Sequence, residues 1–224
     1  MGVPGAEQQG EDPMAAITIS RQFGAGGRSL GEKLCERFGF HLVDELVIDE
    51  LARKAKVKGD WLTAMEKEAS SKLLGLLSSI VSSGHFLKTP AAPGEEFEHK
   101  KYRDFLRRIM GAMANEGGYI LLGRGSQFVL REHPKVFRVL LVAEYGDRVK
   151  FMVQRYHLTE EEAKKIIKEK ENQRAAVATN IFGGDIDDPR LYHIVLNTSL
   201  IRFDWAVESA GDLFSRFRKN LGEE

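Results

Sequence analysis

The 224-residue sequence has a single cysteine, Cys35, so no disulfide can form within the chain. A lone thiol suits a reducing compartment, and the expected location is cytoplasmic. Cys35 shares a stripe with Leu34 and Phe38 and reads as a small core residue rather than a nucleophile. Neither charge is in excess, since Lys plus Arg and Asp plus Glu number 33 each. A dedicated nucleic-acid binder would carry a basic surplus, so no nucleic-acid partner is expected. Balance of this kind still allows a local basic pocket for a small phosphorylated ligand. No apolar run approaches the ~20 residues that span a bilayer, so no membrane partner is expected either. The histidines show no metal-ligand spacing, and none is assigned to chemistry. Internal repeats and low-complexity segments are lacking too. The opening "MGVPGAEQQGEDP" has no apolar core of a signal peptide, and Ala6 stands where a myristoylation signal prefers Ser or Thr. Residues 1–14 read as a disordered tail before one domain at 15–224. Met1 and Met14 both stay open as the start.

Short apolar runs alternating with helical stretches make up the rest. "AAITIS" (15–20), "FHLV" (40–43), "GYILLG" (118–123), "VFRVLLVA" (136–143) and "HIVLN" (193–197) are largely apolar, as strands covered on both faces must be. Between them, "SLGEKLCERF", "ELVIDELARKA", "SQFVLRE", "YGDRVKFMVQRY" and "FDWAVESAGDLFSRF" carry apolar residues at helical spacing. The alternation predicts an α/β fold with a doubly wound parallel sheet. Two stretches interrupt it. Residues 60–116 hold two helical segments around the loop "GHFLKTPAAPG", and "LLGLLSSIVSS" within them reads equally as core or as a homodimer face. Residues 159–185 open with Thr159 and Glu162 in capping-box spacing, ahead of a strongly charged helix that reads as a mobile arm or as a plain solvated helix.

The most informative stretch is "ITISRQFGAGGRSLGEKL" (17–34), a strand, a glycine-rich turn and a helix start. Backbone N–H groups at a helix start have no intrahelical acceptor, and the helix dipole adds partial positive charge there. Gly24, Ala25, Gly26 and Gly27 let the backbone curl around an anion, which makes a phosphate nest. A glycine turn needed only for close strand–helix packing is the competing reading.

Three stretches, "AITISRQFGAGGRSLGEKLCERFGFHLVDELVIDELARKA", "GGYILLGRGSQFVL" and "DDPRLYHIVLNTS", resemble the cytidylate kinase-like family of P-loop proteins. The resemblance runs from residue 15 to about 217. It implies a three-layer P-loop kinase-like fold with a five-stranded parallel sheet, a helical acceptor-binding region at 60–116 and an arginine-bearing lid arm at 159–185. Matched without gaps, it puts Gly27 where the kinases have a phosphate-gripping lysine, with Arg28 at the hydroxyl that holds magnesium. Shifted by one, Arg28 replaces the lysine and Ser29 becomes the magnesium ligand; a guanidinium is always charged and can grip phosphate through two hydrogen bonds. Asp44 falls where the kinases orient an acceptor hydroxyl or bind magnesium through water, and it is equally suited to cap the following helix. Arg124 in "GRGS" matches the acceptor-binding arginine, while Gly125 replaces an acidic partner. Arg148, Arg155 and Arg174 match arginines that neutralise the phosphoryl group in flight. Glu50 stands where cytidylate kinases have an arginine, and Thr179 and Asn180 stand where relatives place basic residues.

Implied, then, is a phosphotransferase using ATP and Mg2+ as cofactors, with nucleotide substrates such as CMP or dCMP. Two alternatives stand beside it: a nucleotide-binding protein that has lost catalysis, and a kinase of another phosphorylated small molecule.

Overall fold

The computed structural model describes residues 15–48 and 96–222, and everything below concerns those residues. The expectations for the tail at 1–14, for Glu50 and for 60–95, including the segment offered as a dimer face, lie outside them.

Five strands form one parallel sheet: β1 (Ala16–Arg21), β2 (His41–Val43), β3 (Tyr119–Leu122), β4 (Val136–Val142) and β5 (Ile194–Asn197). Their spatial order is β2-β3-β1-β4-β5. Ile17 pairs with Ile120 on one side of β1 and with Phe137 on the other. Chain order reverses direction at β1, and ligands of open α/β sheets bind at the carboxyl ends of strands beside such a reversal.

The strands lack polar alternation because both faces are covered. Ile17, Ile19, Ile120, Leu122 and Phe137 pack under helix α1 (Gly27–Phe38) and a later helix carrying Ala206, Ala210 and Phe214. Ala16, Tyr119, Leu121 and Val136 face the other way, against Phe105, Leu106, Ile109, Met110 and Met113 of α2 (Glu96–Glu116). The three layers of the expected fold are present. The 126–132 helix is shorter than its spacing predicts: α3 covers only Ser126–Val129, after a turn in left-handed backbone at Gly123, Arg124 and Gly125. Helix α4 (Tyr145–Tyr156) matches its segment residue for residue.

The charged arm is α5 (Glu160–Ala176), followed by a wide π-helical turn at Val177–Phe182. Thr159 and Glu162 form the expected capping box. The arm is not simply solvated, because Ala163 and Ile167 are buried against Val149 and Met152 of α4. Helix α6 (Phe203–Asn220) closes the chain. Among the described residues no helix is long and apolar enough to cross a membrane.

Phe214 is fully buried in an aromatic cluster, meeting Phe38 edge-on at 5.0 Å and Phe40 at 5.7 Å. Cys35 lies beside it, and burial together with Glu32 and Glu36 pushes its thiol up to about 11, which makes it inert at neutral pH. Phe214→Ala is expected to cost about 3–5 kcal/mol of stability, read from urea unfolding. A loss under about 1 kcal/mol, the scale of an ordinary point substitution, would show that the cluster does not anchor α6 to the sheet.

Candidate functional site

Between β1 and α1 the chain forms a tight loop braced from outside. The Ala25 amide donates to the Gln22 carbonyl at 3.0 Å, and the Thr198 hydroxyl donates to the Ala25 carbonyl at 3.2 Å. The Gln22 side chain accepts from the Ala143 amide at 3.0 Å, tying the loop to the end of β4. Thr198, just past β5, thus braces the loop.

Inside this frame the amides of Gly24, Gly26, Gly27, Arg28 and Ser29 donate to no acceptor among the described residues. Phe23 is different, because its amide donates to a carboxylate oxygen of Glu171 on α5. The unpaired amides border a cleft lined also by Arg28, Ser29 and Asp44. An open cleft over free amides at a helix start can hold an anion.

Arg28 does not extend freely into it. Its Nη1 lies 2.7 Å from Asp44 and its Nε 3.1 Å from Glu32. The other Asp44 oxygen accepts from the Leu46 and Val47 amides at 3.0 and 3.2 Å, so Asp44 is the helix cap that the sequence allowed. With one oxygen on the cap and the other on Arg28, this carboxylate is committed within the protein.

A second cleft adjoins the first, sharing Arg21, Phe23, Glu45 and Leu46 with it. Four of its lining residues are basic, Arg21, Arg124, Lys170 and Arg174, against one acid, Glu45. Arg124 sits at φ 51 between Gly123 at φ 80 and Gly125 at φ 69. Three successive left-handed residues are costly for a non-glycine side chain, on the order of 1–3 kcal/mol, and such outliers concentrate at functional sites. At Gly125 a Cβ would lie 2.7 Å from Cζ of Phe182, whose ring stacks on Phe128 at 5.2 Å. The acid that the resemblance implies at 125 therefore has no space here. The arm's wide turn packs an aromatic ring into that notch instead.

Arg174 Nε donates to the Arg21 carbonyl at 2.8 Å, and its Nη2 pairs with Asp187. Arg148 reaches the Phe23 carbonyl at 3.5 Å and stands 3.7 Å from Glu171. Both arginines therefore dock the arm and α4 onto the loop's entrance. Arg155 is exposed at the end of α4, lines neither cleft and makes no ion pair among the described residues.

Sequence reading missed Arg21, Glu45, Lys170, Glu171 and Phe182. A signal for Arg21 was available: a charge at the carboxyl end of an otherwise apolar strand, where a parallel sheet puts its ligand crevice. Nothing local marks the others, which arrive from the arm or sit beside the Asp44 cap.

A family model, described as the cytidylate kinase-like family, matches residues 16–200. The chain belongs to the cytidylate kinase-like family. It is 26% identical over 184 residues to the cytidylate kinase of Pyrococcus horikoshii, across 82% of this chain and 79% of that protein. Among solved structures, an uncharacterized protein from Eubacterium ventriosum matches with TM-score 0.63 and 16% identity, covering 89% of this chain and 98% of that one. A gluconokinase from Sinorhizobium meliloti matches with TM-score 0.50 and 13% identity, covering 92% and 95%. These two share the fold. Family membership supports a phosphotransferase, and such kinases imply ATP use.

Arg21 Nη2 lies 3.1 Å from Glu45 Oε2. Burial alone would raise the Glu45 carboxyl, but Arg21 and then Arg124 outweigh it and hold it below the ordinary 4.5. With the folded value below the unfolded one, this pairing stabilises the fold fully above the ordinary carboxylate range. The contribution is lost as pH falls through the lowered value. Glu45→Gln is expected to flatten the acid limb of the stability–pH curve below 4.5 in urea unfolding at a series of pH values. Parallel acid limbs for the two proteins would refute the pairing.

Proposed function

We propose that this protein is a magnesium-assisted phosphotransferase that moves the terminal phosphoryl group of ATP onto a small phosphorylated acceptor, with CMP and dCMP the first acceptors to test. One observation carries the reading: a cleft over free loop amides shares Arg21 and Glu45 with a second cleft whose charged lining is four cations against one acid. Donor phosphates fit the first, and an anionic acceptor suits the second. The Pyrococcus horikoshii relative is a cytidylate kinase, which supports a nucleoside monophosphate over an uncharged acceptor. A cytoplasmic location is part of the proposal and fits the single thiol.

In this reading residues 24–29 hold the donor phosphates through main-chain amides. Ser29 lines the donor cleft, and its hydroxyl is the proposed magnesium ligand. Asp44, with both oxygens engaged, would position Arg28 rather than bind the metal or the acceptor directly. A magnesium ion held by Ser29 would supply charge neutralisation for the donor phosphates. Arg124 grips the acceptor phosphate from its left-handed turn. Arg148 and Arg174, docked where the arm meets the loop, are the better placed of the three arginines to neutralise the group in flight. Arg155 reaches that group only if α4 or the arm moves. Transfer of this kind rests on positioning and charge neutralisation.

Glu171 favours a second reading, a nucleotide-binding protein without turnover. Its carboxylate holds the Phe23 amide, with Arg148 at 3.7 Å and Arg174 at 3.9 Å, so a protein anion stands against the loop and against arginines of α4 and the arm. Incubation with ATP, magnesium and each nucleoside monophosphate, reading ADP formation beside calorimetric ATP binding, separates the two. Turnover with CMP or dCMP is the expected result, and tight ATP binding without turnover on any acceptor would favour the second reading. Arg174→Ala is expected to lower kcat about 100-fold or more, the scale of one lost charge-stabilising donor, with a smaller loss for Arg155→Ala. Equal losses would overturn the ranking of these arginines.

A further inference from the structure

The loop poses a question: which cation grips the donor phosphates, when the ungapped match puts Gly27 where the kinases have their lysine? Among the described residues, three arginines near the loop are held by other protein groups. Arg28 faces two carboxylates, Arg174 is bound to the Arg21 carbonyl and Asp187, and Arg148 is held between the Phe23 carbonyl and Glu171. Arg21, only 16% exposed, has one carboxylate partner among the described residues, Glu45. It also lines both clefts, together with Glu45. A guanidinium on the boundary between donor and acceptor spaces is where the transferred phosphoryl group must pass.

The path its side chain takes is informative. A Cβ built at Gly27 would lie 2.7 Å from Arg21 Cγ, 2.9 Å from its Cβ and 3.2 Å from its Cδ. The stem of Arg21 thus runs through the space that any side chain at 27 would enter. Those colliding atoms are the stiff base of Arg21, not its flexible tip. Gly27 is helical, at the first position of α1, so its backbone would accept another residue. What forbids one is the neighbour. Farther out, the guanidinium passes against Gly123, so two glycines leave room for one arginine.

We propose that Arg21 is the phosphate-gripping cation of this loop, reaching from the end of β1 into the place that a lysine at position 27 would fill. Residues 21 and 27 have exchanged roles: the cation comes from the strand, and the helix start gives up its side chain to admit it. Glu45 holds the guanidinium in position until the polyphosphate of a nucleoside triphosphate competes for it. The long planar group fits because it arrives from farther back than a lysine would. Arg28 braces the Asp44 cap and is secondary to Arg21.

This inference rests on the proposed function, and its test separates the two. Calorimetry with magnesium–ATP and with AMP is run on the wild type, Arg21→Ala, Arg28→Ala and the double exchange Arg21→Gly with Gly27→Lys, with thermal melting as a check on folding. Arg21→Ala is expected to weaken ATP binding about 10- to 100-fold, the range for one charged hydrogen-bonding group, and to weaken binding of AMP, which lacks the β- and γ-phosphates, distinctly less. Arg28→Ala has the smaller effect on ATP. The double exchange recovers most of the lost ATP affinity, while Gly27→Lys alone lowers the melting temperature because Arg21 is still in its way. ATP binding by Arg21→Ala at wild-type strength would overturn the inference and leave the phosphotransferase reading intact. So would equal losses for ATP and AMP, or a double exchange no better than Arg21→Ala. A wild type that binds no ATP would overturn both.

Discussion

Five backbone amides at the start of α1 have no acceptor among the described residues, and the arrangement around them follows from that fact. A buried N–H group without an acceptor is costly, so a fold keeps several together only where water or a ligand can reach them. Here β1 lies in the middle of the parallel sheet and delivers its carboxyl end to the point where chain order reverses. Thr198 and Gln22 fix the loop from outside, so its own geometry does not have to be satisfied from within. Positive character at a helix start, a rigid rim and an open cleft together make an anion site before any side chain is considered.

Side chains then divide that space. Arg21 and Glu45 belong to both clefts, so the ion pair between them is a partition with charge on it. On the acceptor side, four cations face one acid, which favours an anionic molecule. On the donor side, Arg28 and Asp44 form a pair whose net charge is small, leaving the work to main-chain amides and to whatever cation leans over them. The arm is fastened at both ends of this arrangement. Arg174 holds the end of β1, and the Phe182 ring fills the notch above Gly125.

Much of the fold was readable because the central strands are buried on both faces and all five read as largely apolar runs; Val136–Val142 and Ile194–Asn197 fall within their predicted segments. The capping box at Thr159 and Glu162 was readable because its two partners are three residues apart in one chain segment. The shortness of α3 was not, since apolar spacing carries no notice of a left-handed turn just before it. Asp44 supported two roles in the sequence, and the hydrogen bonds to Leu46 and Val47 chose the cap. Cys35 was correctly read as packing, because its stripe with Leu34 and Phe38 is a local property.

By itself the sequence determined the layered sheet, the position of the glycine loop at the end of β1 and the family to which the chain belongs. All three depend on periodicity and on residues adjacent in the chain. Only the tertiary structure decided which cation stands beside the loop, because Arg21 and Gly27 are six residues apart with a turn between them. Whether the side chain of one occupies the space of the other depends on how that turn folds back. The same holds for Glu171 and Phe182, brought to the site from an arm some 150 residues along the chain from the loop, as in the Phe23–Glu171 bond with its separation of 148. Such distant pairs meet only through packing, and no local pattern records them.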